Sequence, residues 1–331
     1  MSTGPAVDRT SVTPTDRTHA MRGYLYIGAA AVFWGVSASL GRAAFTGRLL
    51  PASSGIDRVG PLMLSQARTG FSFIAVLIGL LLSRGAKALR ISRGDLIRVL
   101  LLGLGGVAAS NYFYYLAIQR TNVATAIIVQ YTAPVWVLVY MVARGKERLT
   151  LDKAILVTLA IIGIALVIGI VGPGKLHLDG IGVAAALAAA FSFAYYNIGG
   201  HAILLKHDRW IVLLYTTLAA TLFWMIFNPP SKIAAAHYSV SVWLFLLVFA
   251  VTSVLVPFVF YFAGLQHLRP TNAIIASCLE PVFTILIAAI SLKELVRPSQ
   301  AVGIAMVLIA ILVAQRQGSD GGIDPIPGPV D

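Results

Sequence analysis

The chain has 331 residues, of which 58% are apolar and only 11% charged, with a mean hydropathy of +0.85. Soluble domains carry about 25% charged residues, so an ordinary cytosolic enzyme is excluded: too few charges remain to cover its surface. The 25 Lys+Arg exceed the 13 Asp+Glu by a net +12, and the single cysteine, Cys278, rules out an intrachain disulfide.

Residues 1–22 are polar and read as a disordered tail. A helix needs about 20 mostly apolar residues to cross the hydrocarbon core of a bilayer. Stretches of that kind follow at 23–45, 61–82, 96–118, 121–142, 154–171, 179–201, 210–227, 240–266, 271–292 and 299–314. The fifth and tenth are short, yet eight membrane-length neighbours place them in the same bilayer. Residues 315–331, rich in Gly, Pro and Asp, read as a second loose tail. The first apolar stretch has no convincing small-residue cleavage site and reads as a retained helix, not a signal peptide. The expected fold is therefore an all-α integral membrane protein with ten transmembrane helices.

Alternate sides of the membrane differ in charge. One side takes Arg9, Arg17 and Arg22, the basic connections at 83–98 and 143–153, and Lys206, Arg209, Arg269 and Arg316. Its excess of Lys and Arg over the other side is about two to one, which predicts that both termini lie in the cytoplasm; the expected location is a bacterial plasma (inner) membrane. The same distribution argues against a nucleic-acid partner, since the positive charge is spread over short loops with no DNA-binding module.

Shifted by 147 residues, the segment 114–147 lies over 261–294. Tyr114/Tyr261, Gln119/Gln266, the Ala-Ile-Ile of 126–128 and 273–275, Pro134/Pro281, and the closing Lys146-Glu147/Lys293-Glu294 all coincide. The copies stand five spans apart, an odd number, so they must face opposite ways across the membrane. Inverted repeats with a midplane site between them are the architecture of many secondary transporters.

The Phe-Trp-Gly run at 33–35, Arg68 in the second span and the doubled Pro…Lys-Glu pattern at 134–147 and 281–294 resemble the EamA-type drug/metabolite transporter (DMT) superfamily, as does the Gly-containing apolar helix after each Lys-Glu. The resemblance implies two EamA-like repeats, at 23–171 and 179–314, and a carrier of amino acids, other metabolites, sugars or drugs. Glu280 has Ala133 as its counterpart, so the two halves do not supply matching acids.

Glu280 is the one carboxylate deep in a span, at roughly 13 Å from the span's start. A charge there costs on the order of 3 kcal/mol unless it is paired, hydrated or protonated. It shares a helix face with Ala273, Ser277, Thr284 and Ser291. One reading makes it a proton acceptor or the counter-ion of a substrate ammonium; the other has it bonded to Ser or Thr where two helices dock. Pro134 and Pro281 stand mid-span in the two halves, either as hinges that expose backbone carbonyls or as static kinks. Arg68 either snorkels to the outer interface as a structural group, pairs with an acid, or holds a substrate carboxylate.

Trp34, Ser37, Asn111, Tyr115, Gln130, Tyr196 and Tyr261 add aromatic and polar groups inside the spans, with Tyr131 and Asn197 beside them. Such side chains grip an organic solute or an ammonium, or else form interfacial belts. Tyr24, Tyr26 and Trp210, near span ends, read as anchors. Gln130 is the repeat counterpart of Ser277, which suggests opposed midplane faces. The Lys-Glu pairs read as caps or loop salt bridges at the wet interface.

The six histidines fall in tails or connections and form no HExxH, so neither metal nor cofactor is expected. No Walker A, GxSxG or GxGxxG stands in a suitable loop, and Cys278 and Glu280, two apart on a helix, point apart and make no dyad. The sequence thus describes no catalytic centre and no ATPase, but a gradient-driven secondary carrier working by alternating access. It would be an exporter of small metabolites such as amino acids or amines, a monomer or homodimer, with proton coupling through Glu280 or facilitated exchange. The alternative is a non-transporting membrane protein, either a membrane-embedded enzyme or a lipid-handling scaffold.

Overall fold

Helix starts fall where a short polar side chain precedes an apolar run. The side chains of Ser92, Thr150, Asp179, Asp208 and Ser239 accept the backbone N–H of Asp95, Lys153, Gly182, Trp210 and Val242 at 2.8–3.4 Å. Each replaces one partner that the first turn of a helix lacks. A chain poor in acids thus places Asp179 and Asp208 at helix starts, where the dipole favours them.

A computed structural model describes residues 14–45, 59–121, 123–169, 179–292 and 296–318. Its described residues are helical, without strands, and ten stretches are long and apolar enough to cross a membrane. In chain order these are α1 (Pro14–Phe45), α2 (Pro61–Arg84), α3 (Arg93–Arg120), α4 (Val123–Gln130 continued by Ala133–Ala143) and α5 (Leu151–Ile168). There follow α6 (Gly180–Leu204), α7 (Arg209–Phe227), α8 (Val240–Leu265), α9 (Pro270–Ser277 continued by Leu279–Leu292) and α10 (Pro298–Gly318).

All ten expected spans are present, with shifted ends. α1 begins at Pro14, within the stretch expected to be a tail, because proline is well tolerated in a first turn and the polar residues after it extend the helix beyond its apolar part. α10 likewise runs past 314 to Gly318. The remainder of both tails lies outside the described residues.

Helices pack in pairs that exchange under the repeat. α1 lies against α8 and α9, and α6 lies against α3 and α4; α2 packs on α7, and α5 on α10. Adding five to each helix number turns the first set into the second and maps the last two pairs onto themselves. Two inverted five-helix repeats therefore interlock, each lending its first helix to the other. The α5–α10 crossing needs glycine: a Cβ on Gly303 would stand 2.5 Å from the Gly163 carbonyl oxygen. Large apolar residues such as Leu25, Ile78, Leu82, Ile226 and Ile290 are exposed on the outside of the bundle, as a lipid-facing surface requires.

Four interruptions fall at matching positions of the two repeats. α4 breaks at Tyr131-Thr132 and α9 at Cys278. α3 widens into π-helix over Gly103–Ala108, and α8 does so over Val251–Leu255. A shift of 147 residues superimposes the first pair, and nearly so the second.

Candidate functional site

Pro134 and Pro281 do not sit at mid-helix in the folded chain. Each stands in the first turn of the helix that resumes after the break, at Ala133 and Leu279 respectively. There the missing N–H costs little, so each proline marks a restart more than a kink. The break in α4 leaves Tyr131 between two helical halves, and its hydroxyl donates to Glu280 Oε2 at 3.0 Å. Glu280 opens the second half of α9, directly after that helix's own break. The broken helices of the two repeats are thus joined by one hydrogen bond near mid-membrane.

Arg68 turns inward. Its Nη2 donates to Asn111 Oδ1 on α3, while its Nε is buried without a partner. Asn111 is oriented in turn by its own Nδ2, which donates to the Val107 carbonyl at 2.7 Å. Val107 lies in the π segment of α3, where the wider turn leaves carbonyls free for other donors. Among the described residues no ion pair joins Arg68 to Glu280. Arg68, Asn111, Tyr131 and Glu280 all retain accessible surface. The acid and the base thus stay out of direct contact, each held by a neutral partner, Tyr131 on Glu280 and Asn111 on Arg68.

The second π segment serves the other side of the site. The Ser253 carbonyl in α8 accepts Trp34 Nε1 at 3.2 Å. The Trp34 ring meets Phe258 and Tyr261 at centroid distances of 5.5 and 5.4 Å. Tyr261 is fully buried and accepts Asn197 Nδ2. Close beside Glu280, Gly35 lets α1 touch α9, since a Cβ there would lie 2.9 Å from the Thr284 backbone nitrogen.

The remaining sequence candidates divide. Tyr115 accepts from Ser65 Oγ at 3.2 Å, and Gln130 donates to Ser110 Oγ at 3.2 Å, both on or against α3. Ser37, Ser277 and Thr284 give their hydroxyls to carbonyls of their own helices, at Trp34, Ile274 and Glu280. Ser277 is buried, so it shares no open face with Gln130. Tyr196 is enclosed between Phe258 and Phe262 and serves as packing. Tyr24, read as an anchor, is buried as well.

Two readings of the connections change. His201 lies in the last turn of α6, not in a connection, and its Nδ1 donates to the Leu265 carbonyl at 2.8 Å. Glu147, expected at a wet interface, is 6% exposed, because Lys153 and Thr271 enclose its carboxylate. Its counterpart Lys293-Glu294 lies outside the described residues. A groove of about 610 Å³ between α2 and α8, with apolar walls and Arg84 and Trp210 at its rim, contains none of the polar cluster.

Ten crossing helices in two interlocked repeats, with a lone carboxylate where their broken helices meet, define a membrane transporter of the inverted-repeat kind. The chain belongs to the EamA-like transporter family, which matches it twice, over residues 21–169 and 180–315. The threonine/homoserine exporter RhtA of Salmonella typhimurium is 26% identical over 276 residues, covering 77% of this chain and 88% of the exporter. RhtA of Escherichia coli is equally similar over 264 residues, covering 75% of this chain and 86% of its own. An uncharacterized transporter of Archaeoglobus fulgidus is 26% identical over 220 residues, 64% of this chain and 76% of that protein. A solved crystal structure superposes with a TM-score of 0.68 at 21% identity, covering 91% of this chain and 99% of its own, and shares the fold.

Proposed function

We propose that this protein exports small organic metabolites, amino acids or amines, by alternating access around the region between Glu280 and Arg68. The repeats rock as units taken at 23–171 and 179–314, with both termini in the cytoplasm of a bacterial inner membrane. The observation that carries the reading is the Tyr131–Glu280 bond, which ties the broken helix of one repeat to that of the other, while among the described residues Arg68 is held by Asn111 and by no acid. A zwitterion matches this arrangement: its ammonium meets Glu280 and its carboxylate meets the Arg68 guanidinium, whose Nε has no protein partner. The RhtA relatives, threonine/homoserine exporters by name, support the same class. A proton on Glu280 alternates with the substrate ammonium, so coupling and recognition use one group.

Counterflow of labelled L-threonine into proteoliposomes, competed by a panel of amino acids, amines and sugars, tests the substrate class. Amino acids or amines are expected to move or compete and sugars to do neither; failure of every amino acid and amine removes the proposal. Asn111→Ala provides a finer test, because it takes away the side chain that, among the described residues, holds Arg68. The concentration for half-saturation by a zwitterion should rise roughly tenfold, the effect of one hydrogen bond to a charged group, with little change for an amine lacking a carboxylate.

A further inference from the structure

The two faces of the bundle are unequally closed. The first half of α9, Pro270–Ser277, is buried almost throughout. Its inverted counterpart, the first half of α4, leaves Ile127, Ile128, Val129 and Gln130 partly exposed. Among the described residues the helix half that starts at the face of the 143–153 connection is thus the more enclosed of the two.

Glu147 sits at that face. Its Oε1 accepts the hydroxyl of Thr271, in the first turn of α9, at 2.9 Å, and its Oε2 accepts Lys153 Nζ at 2.6 Å. The backbone aims it: the N–H groups of Lys146 and Glu147 both donate to the Met141 carbonyl, and Gly145 takes φ +66 to make the turn. The Lys153 contact stays within the first repeat, whereas the Thr271 contact crosses to the second. A carboxylate at the start of α9 also faces the positive end of that helix's dipole. His201, from α6, and the neighbouring Lys146 are further titratable groups at this end of the bundle.

We propose that Glu147 is a gating residue that positions α9: by accepting the Thr271 hydroxyl it latches the α4–α5 connection of one repeat onto the other and holds this face shut. Rocking toward a state open at this face must break the bond. Lys153 stays with Glu147 when it breaks, so the carboxylate is never left buried without a partner. This assignment rests on alternating access.

The single cysteine reports on the latch. Cys278 lies at the α9 break, buried between Thr271 and Glu280 in sequence, and is sealed from this face. In the full chain, reconstituted in oriented vesicles, an impermeant methanethiosulfonate added at the latch face should modify Cys278 roughly tenfold faster in Thr271→Val than in the wild type, the ratio set by losing one hydrogen bond to a charged group. Thr271→Ser, which keeps the hydroxyl, should label as the wild type. Equal rates in Thr271→Val and wild type overturn the latch, and so does acceleration from both faces alike, which would mark loosened packing. Adding saturating L-threonine to the wild type tests rocking separately. A solute effect on labelling with no effect of Thr271→Val would retain alternating access and discard the latch. A Thr271→Val effect with no solute response would retain the latch and count against threonine-driven rocking.

Discussion

Replacing Glu280 with glutamine is expected to lower the initial rate of solute counterflow by roughly 10- to 100-fold and to flatten its dependence on pH. The magnitude follows from the loss of hydrogen bonding to a charged group in a region without bulk water, about 1.5–3 kcal/mol, with tenfold for every 1.4 kcal/mol. Glutamine keeps the shape and still accepts the Tyr131 hydroxyl, so the fold should survive, and only the charge and the exchangeable proton are removed. Tyr131→Phe makes the complementary cut: it leaves the carboxylate ionisable but unties the two broken helices, and its effect should be smaller. Unchanged rates and an unchanged pH profile in Glu280→Gln would return this residue to a purely structural role. Arg68 sharpens the experiment, because removing the acid leaves that base without an opposing charge nearby, and anionic solutes should gain relative to zwitterions.

Gly303→Leu is expected to destabilise the protein strongly although it lies far from the site. The first carbon added would already meet the Gly163 carbonyl oxygen at 2.5 Å and Leu166 Cβ at 2.8 Å. Both neighbours belong to α5, whose backbone has no rotamer by which to yield. Overpacking of this kind costs about 1–3 kcal/mol or more, and in a membrane the close approach of small residues is itself the source of helix association. The melting temperature of the purified protein in detergent should fall by several degrees. Gly79→Ala, at a position where an added carbon meets nothing within 4 Å, should leave it unchanged. Equal melting of both variants with the wild type would show that the α5–α10 seam carries no stability.

The ten helices were readable because the bilayer imposes a length on each apolar run, and that constraint is local. Glu280 was readable for a similar reason: a single acid amid apolar residues stands out without any neighbour being known. Its partner was less accessible. The repeat alignment singles out Gln130 only as the counterpart of Ser277, and the docking reading gives Glu280 a Ser or Thr partner, yet Tyr131 reaches the carboxylate and Gln130 turns to Ser110. Adjacent residues on a helix differ by about 100° in direction, so a break of one residue decides which of them faces the other repeat. The burial of Glu147 was hidden in the same way. Its Lys-Glu sequence signals a solvated loop, and only the arrival of Thr271 from far along the chain encloses it. Of the π segments, Gly103-Leu104-Gly105-Gly106 offers a faint glycine signal and Val251–Leu255 none.

Those two π segments bear on ancestry as well as on the positions of Asn111 and Trp34. A π turn adds one residue to an α-helix, and such turns account for well under 1% of residues in proteins. Finding one in each half at nearly the same repeat register is economically explained by a single insertion, made in an ancestral five-helix unit before that unit was duplicated. The carbonyls put to use stand one position apart in that register, Val107 accepting an amide in one half and Ser253 an indole in the other. The asymmetric chemistry of the two halves is thus carried by a nearly symmetric irregularity of the backbone.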